Sequence, residues 1–310
     1  MTSTADQDRP ASSGPPIGWR SWVAGARPRT LPAAVVPVLV GTACAVGVAE
    51  VIAWRAVAAG VVALALQIGT NFANDYSDGV RGTDDPGVRV GPVRLVGWGL
   101  QPPRAVKAAA LISFAVAGLA GLTLALAVGP ELLVVGAAAM AAGWFYTGGR
   151  HPYGYYGFGE LFVFVFFGLV ATVGSTYVQT EAVSALSAAA AVAVGLLATA
   201  LLVINNLRDI PGDTESGKRT LAVRIGDKRT RGLYVTMLVA AFVTVPVVAG
   251  GFDRAPAVLA MVGVVLARTP VVKVLEGARG PQLIAVLGAT VRVQLVAGSL
   301  LALGIWLGAP

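Results

Sequence analysis

Long apolar stretches alternate with short polar segments along most of this 310-residue chain. Each stretch holds about 16 to 25 residues, enough for a helix to cross a hydrocarbon core of about 30 Å. Lipid offers no partners to open backbone groups, so each stretch has to be helical. The nine stretches cover residues 32–49, 56–74, 105–128, 132–147, 160–178, 183–206, 231–249, 255–270 and 283–307.

This pattern predicts an all-α, polytopic membrane protein with about nine transmembrane helices. The composition agrees, because 56% of the residues are hydrophobic and only 13% are charged, whereas soluble domains carry roughly 25% charged residues. Residues 1–18 are polar and rich in Pro and Ser. We expect them to form a disordered cytoplasmic tail, and we expect residues 19–310 to form a single integral-membrane domain. The least distinct helix boundary is at residues 128–132.

Basic residues indicate the orientation in the membrane. All of the 23 Lys and Arg residues lie in the N-terminal tail or around every second loop, except Arg55, Arg254 and Arg292. The positive-inside rule then places the N-terminus in the cytoplasm and the C-terminus outside. We expect the membrane to be the plasma membrane of a bacterium. Since the net charge of +7 follows topology, we expect the partner to be the lipid bilayer and not nucleic acid.

Two clusters of Asp and Asn interrupt the apolar pattern at the cytoplasmic ends of two predicted helices. The first covers residues 71–78 and continues to Asp84, and the second covers residues 205–213. Carboxylates beside a hydrocarbon core are costly unless a cation compensates them. Helix capping and solvation would explain either cluster alone, but two clusters on the same side with matching spacing favour a shared site.

The spacing within the clusters points to metal-bound phosphate. Asn74 and Asp78 are four residues apart, as are Asn205 and Asp209, so each pair shares one helix face. This weak internal repeat is typical of two helix groups that face one cavity. Carboxylate, amide and phosphate oxygens are the ligands of hard divalent cations such as Mg²⁺. The clusters therefore predict divalent metal ions that bridge to a polyanion, with nearby basic residues to neutralise it.

Beyond these clusters, several stretches make the chain resemble the UbiA superfamily of intramembrane aromatic prenyltransferases. It is most similar to the MenA branch, which prenylates 1,4-dihydroxy-2-naphthoate in menaquinone synthesis. The resemblance covers nearly the whole chain after residue 18. The further stretches that carry it are residues 26–32, 91–92, 146–149, 157–164 and 217–223.

The resemblance implies a central cavity among the helices and a Mg²⁺-dependent reaction. The expected substrates are a polyprenyl diphosphate and 1,4-dihydroxy-2-naphthoate. The diphosphate leaves an allylic carbocation, the electron-rich ring attacks it, and the ring carboxylate is lost as carbon dioxide to give demethylmenaquinol. An apolar cavity would protect the cation from water.

The resemblance also implies roles for single residues. Many members carry a further Asp where this chain has Gly82, so Asp84, two positions later, is the alternative ligand. The expected catalytic residues are Asp75, Asp78, Asp209, Asp213 and Tyr146. The expected substrate-binding residues are Asn71, Asn74, Arg81, Asn205, Lys218 and Arg150. The expected metal ligands are Asp75, Asp78, Asp84, Asp209 and Asp213.

Other interpretations remain at this point. Within the same class, the acceptor could be 4-hydroxybenzoate, haem, a chlorophyllide or a ribosyl phosphate. A cation-coupled secondary transporter would place its acidic residues near the middle of the bilayer, whereas these lie at one end. A structural scaffold gives no reason for two matched clusters. We expect the phenylalanines at 162, 164, 166 and 167 to face lipid or pack, and not to line a tunnel for the prenyl chain.

Overall fold

The computed structural model of the chain describes residues 18–83 and 93–310, and over these ranges it is helical with no strand. The predicted tail, apart from Gly18, and Asp84 of the first cluster lie outside the described residues. The helices are α1 Trp19–Ala26, α2 Pro32–Ala45, α3 Ala53–Val80, α4 Pro103–Ala127, α5 Glu131–Phe145, α6 Gly159–Thr180, α7 Ala185–Glu215, α8 Leu221–Gly251, α9 Ala255–Leu275 and α10 Pro281–Leu307.

Each predicted apolar stretch coincides with one helix from α2 to α10, and the uncertain boundary near residue 130 is a true break between α4 and α5. Within the described ranges, seven helices are long and apolar enough to cross a membrane, or eight if α1 and α2, bent by 49°, form one span. The fifteen-residue α5 is shorter than the roughly 20 residues a span needs. The chain is thus a multi-span membrane protein, and the predicted count of nine is not confirmed.

Local signals in the sequence explain where several helices begin. Pro32, Pro103 and Pro281 each occupy the first turn of a helix, where the missing N–H costs nothing and the fixed φ suits the helix. The side chains of Ser184 and Thr220 cap α7 and α8 by accepting a hydrogen bond from the backbone N–H three residues on. Such caps satisfy donors that a helix leaves open.

Among the seven long apolar helices, α7 is the most enclosed, because 72% of its most apolar 18-residue stretch is buried inside the protein. Its side chains join those of α2, α8, α9 and α10 in one apolar core. By contrast, α4, α5 and α9 expose large apolar side chains, including Leu126, Val134 and Val265, as expected for surfaces in contact with lipid. The second acidic cluster therefore lies at the end of a central helix, while α3 carries the first.

Close packing of α6 against α7 depends on two glycines. A Cβ atom added to Gly168 would lie 2.5 Å from the Cα of Gly195, whereas a Cβ added to Gly174 on the same helix α6 would meet nothing within 4 Å. Small residues at such crossings let helix backbones approach closely in lipid.

We therefore expect Gly168→Ala to destabilise the protein by about 1–3 kcal/mol, since overpacking costs more than the gain in helix propensity. Thermal unfolding in detergent should show a lower Tm for this variant. The matched variant Gly174→Ala should keep the Tm or raise it. Equal melting temperatures for the two variants would contradict the assigned contact.

Candidate active site

A cavity of about 250 Å³ lies where α3 and α7 end. Residues of both acidic clusters line its polar side, and apolar residues, several of them aromatic, line most of the rest. The polar lining includes Asn71, Asn74, Asp78, Asn205, Asn206, Asp209, Asp213 and Lys218. The structure thus brings the two predicted clusters to one cavity, although they are far apart in the sequence.

Asp78 is the centre of the polar network, and it is only 3% exposed to solvent. Lys218 donates a hydrogen bond from Nζ to Oδ2 over 2.9 Å, and Tyr155 donates from its hydroxyl to Oδ1 over 2.6 Å. Arg94 Nη2 lies 3.9 Å from Oδ2. Because Lys218 follows the second cluster, its ion pair with Asp78 joins one cluster to the other.

The turn after α7 explains how Lys218 reaches Asp78. Gly217 has φ +74°, a left-handed conformation that favours glycine. The N–H of Lys218 then donates to the carbonyl of Asp213 over 2.8 Å. This tight turn directs the lysine side chain back over the cavity, where its ammonium group also lies 4.9 Å from the centre of the Tyr155 ring.

In the second cluster, Arg208 holds Asp209 in a two-pronged ion pair. Its Nε and Nη2 atoms each lie 2.8 Å from a different carboxylate oxygen of Asp209, and Nη2 also donates to Asn205 Oδ1 over 2.9 Å. Asp213 accepts from the Thr220 hydroxyl over 3.4 Å. Asp78 and Asp209 therefore each have a basic partner, which is what charges near an apolar core require.

The predicted residues of the first cluster lie in two groups. Asn74 lines the cavity and accepts a hydrogen bond from the Thr147 hydroxyl over 2.8 Å. Asn71 also lines the cavity, but its amide group donates to the carbonyl of Ala26 over 3.0 Å. Asp75 is not among the lining residues. Its two carboxylate oxygens accept the backbone N–H groups of residues 95 and 96, each over 2.9 Å.

Three other predicted residues have different surroundings. The guanidinium of Arg81 donates to the carbonyls of Thr147 and Gly149, and Arg81 does not line the cavity. Arg150 is exposed and is also absent from the lining. Tyr146 does line the cavity, and its ring lies 5.5 Å from that of Tyr153 in a T-shaped arrangement. Neither arginine is therefore placed to contact a molecule in the cavity directly.

Sequence reasoning missed Tyr155, Arg94 and Arg208 as parts of the site. Burial and the charge of Asp78 raise the pKa of Tyr155 well above its ordinary value, so its hydroxyl stays protonated and donates to Asp78 across the physiological range. The only sequence signal was the group of three tyrosines among residues 153–156, which falls outside the apolar stretches. Arg94 and Arg208 carry no signal of their own, because basic residues are expected on this side of the membrane.

The expectation was wrong for three of the four phenylalanines of α6, whereas Phe164 packs beside Gly195 as expected. Phe162, Phe166 and Phe167 line the cavity, and the ring of Phe162 stacks on that of Tyr153 at 3.9 Å. Phe166 and Phe167 belong to a π-helical segment at Phe164–Val170, whose wider turn changes which side chains share a face. The apolar part of the cavity is thus partly aromatic.

Oxygen donors around the cavity suit magnesium. The described residues contain no group of three or more His, Cys, Asp or Glu side chains that could hold a metal ion by themselves. Magnesium is usually held by one or two carboxylates together with substrate phosphates, and not by an all-protein cage. Asp78, Asp209 and Asp213, with the amide oxygens of Asn74 and Asn205, fit that mode of binding.

Comparison with known proteins identifies the family. The model of the UbiA prenyltransferase family matches residues 34–282. The chain belongs to this family. It is 57% identical over 220 residues to the 1,4-dihydroxy-2-naphthoate octaprenyltransferase of Mycobacterium tuberculosis. This alignment covers 71% of this chain and 75% of that relative. The protein of the same name in Escherichia coli is 40% identical over 72% of this chain and 74% of that relative.

A solved structure shares the fold of this UbiA family member. The UbiA homologue from Archaeoglobus fulgidus bound to DMAPP and Mg²⁺ superposes with a TM-score of 0.56, over 90% of this chain and 98% of that chain. The two sequences are only 14% identical over this alignment. The likeness therefore supports the helical architecture.

Replacing Tyr155 by Phe should lower kcat/KM for the prenyl donor roughly ten-fold or more, since a hydrogen bond to a charged group contributes about 1.5–3 kcal/mol. Steady-state kinetics in detergent would measure the effect. Tyr156→Phe is a matched control, because Tyr156 is exposed and, among the described residues, its hydroxyl hydrogen-bonds to the exposed His151 at 3.3 Å. Equal loss in both variants would contradict a specific role for Tyr155.

Proposed function

We propose that this UbiA family member transfers a polyprenyl group from an allylic diphosphate to 1,4-dihydroxy-2-naphthoate, with loss of the ring carboxylate as carbon dioxide. The product is demethylmenaquinol, an intermediate of menaquinone synthesis. The observation that carries this proposal is the cavity formed by the two acidic clusters, in a chain with 57% identity to a 1,4-dihydroxy-2-naphthoate octaprenyltransferase.

The polar side of the cavity is suited to the diphosphate of the donor. Lys218, which lines the cavity, and the nearby Arg94 can neutralise negative charge on the leaving group, as preorganised cations do in other transferases. Magnesium, when held by the carboxylate and amide oxygens of both clusters, would add positive charge that favours departure of the diphosphate. Tyr155 keeps the Asp78 carboxylate in a fixed orientation by donating to Oδ1.

The apolar side of the cavity is suited to the allylic group. Breaking the bond between its first carbon and the diphosphate oxygen leaves a carbocation, and the naphthoate ring supplies the electrons for the new carbon–carbon bond. Tyr146, Tyr153 and Phe162 line this region, and aromatic faces attract cations. The same side chains exclude water, which would otherwise capture the carbocation.

The topology of the proposed enzyme follows from its basic residues. We assign the N-terminus and the C-terminal ends of α3 and α7, which carry the acidic clusters, to the cytoplasmic side of a bacterial membrane. The loops at that side hold most Lys and Arg residues. Both substrates would then be bound from the inner leaflet of the plasma membrane. A transporter is disfavoured because Asp78 lies two residues before the end of α3 and not near its middle.

The decisive assay combines purified protein, Mg²⁺, a polyprenyl diphosphate and a panel of aromatic acceptors. We expect diphosphate release and carbon dioxide release with 1,4-dihydroxy-2-naphthoate, and neither with 4-hydroxybenzoate. Diphosphate release with a different acceptor and not with 1,4-dihydroxy-2-naphthoate would show that the proposed acceptor is wrong. No diphosphate release with any acceptor would contradict prenyl transfer.

Asp209→Asn should lower kcat by roughly 10³-fold, because it removes a carboxylate from the charged site and leaves Arg208 without its carboxylate partner. Single-turnover product formation would measure the change. Asp227→Asn is the matched control, since Asp227 pairs with Arg231 on α8 and does not line the cavity. Activity of Asp209→Asn equal to that of the control would defeat the role of the second cluster.

A further inference from the structure

We propose that Asp75 is a positioning residue for the prenyl donor site. Its carboxylate fastens the segment at residues 94–101 to α3, and the fastened segment places Arg94 beside Asp78, where the arginine binds the diphosphate. This inference rests on the proposed function for the identity of the anion. It replaces the metal-ligand role that the sequence predicted for Asp75.

The contacts of Asp75 are those of an anchor. The residue is 1% exposed, and it is absent from the cavity lining although Asn74 and Asp78 are both present there. Its Oδ2 accepts the N–H of Leu95 and its Oδ1 accepts the N–H of Val96, each over 2.9 Å. Both oxygens are therefore engaged by two consecutive backbone groups of the segment at residues 94–101.

Apolar contacts hold the same segment in register. Leu95 is fully buried, and its side chain occupies the space beside Gly25, where a Cβ would lie 2.6 Å from Leu95 Cδ1. Val96 fills the corresponding space beside Gly79, 2.5 Å from where a Cβ would be. These contacts set the position of the segment, and the Asp75 bonds satisfy backbone donors that burial would otherwise leave open.

Anchoring the N–H groups of Leu95 and Val96 fixes the backbone next to Arg94, the residue directly before them. Arg94 is 3% exposed, lines the cavity, and lies 3.9 Å from Asp78 through its Nη2 atom. An arginine side chain is long and loses rotamer freedom when it is ordered. Because the backbone at residues 95 and 96 is already fixed, less conformational entropy of Arg94 is lost when the substrate binds.

The carboxylate is specifically required at this position. An ionised Asp offers two acceptor oxygens, whereas Asn offers one acceptor and one donor group. Asp75→Asn would therefore keep one hydrogen bond and point an amide N–H at the other backbone N–H. The Asn side chain has nearly the same shape as Asp, so any effect of this variant is due to the loss of one hydrogen-bond acceptor.

The test compares Asp75→Asn, Arg94→Gln and the double variant in the full-length protein. We expect each single variant to raise the Kd for inorganic pyrophosphate with Mg²⁺, and the KM for the prenyl diphosphate, about ten-fold. The double variant should lose little more than either single variant, because residues that act through one another are not additive. The Mg²⁺ concentration for half-maximal activity should stay within about two-fold of the unmodified protein.

Amide hydrogen exchange provides a readout that does not depend on activity. In Asp75→Asn, the Leu95 and Val96 amides should exchange at least ten-fold faster, whereas in Arg94→Gln they should stay protected. Glu181→Gln is the control for loss of a carboxylate, since Glu181 pairs with Arg55 away from the cavity lining. It should change neither pyrophosphate affinity nor exchange at residues 95 and 96.

Two results would overturn the inference. One is an Asp75→Asn protein that needs much more Mg²⁺, as a lost ligand would, while Leu95 and Val96 remain protected. The other is an unchanged pyrophosphate Kd in Arg94→Gln, which decides the matter even if Asp75→Asn does not fold. Failure of the proposed function would look different, because the unmodified protein would then bind pyrophosphate without prenylating the naphthoate.

Discussion

The buried ion pair between Lys218 and Asp78 is the interaction on which the site depends. It joins side chains 140 positions apart in the chain, over 2.9 Å, at the meeting point of α3 and the turn after α7. Two charges at this depth are expensive to desolvate, and they are tolerated only with good geometry and further hydrogen bonds. Tyr155 supplies one of those bonds to Asp78. The site is thus assembled by the same contacts that neutralise it.

Neighbouring residues of α3 have different roles in the first cluster. Asn74 and Asp78 lie toward the cavity, while Asp75 holds backbone from the next segment of the chain. Asn71 combines both, since it lines the cavity and also donates to the carbonyl of Ala26. About two turns of helix therefore both present polar groups to a ligand and hold the neighbouring segments in place.

Much of this architecture was predictable because membrane helices obey simple rules. The apolar stretches located helices α2 to α10, and the paired Asn and Asp spacing correctly placed Asn74, Asp78, Asn205 and Asp209 around one cavity. Periodicity could not give the contacts of Asp75, because its partners are backbone N–H groups about twenty residues later. The π-helical turn that contains Phe166 and Phe167 also leaves no mark in a hydrophobic pattern.

The short helix α5 has a consequence for the bilayer itself. Its fifteen residues rise only about 22 Å, so α5 can cross only where the hydrocarbon layer is locally thinner than its usual depth of roughly 30 Å. Ala139, Ala142 and Gly143 of this helix form part of the cavity wall. On this side, the helical wall of the cavity is therefore shorter than the usual depth of the hydrocarbon layer.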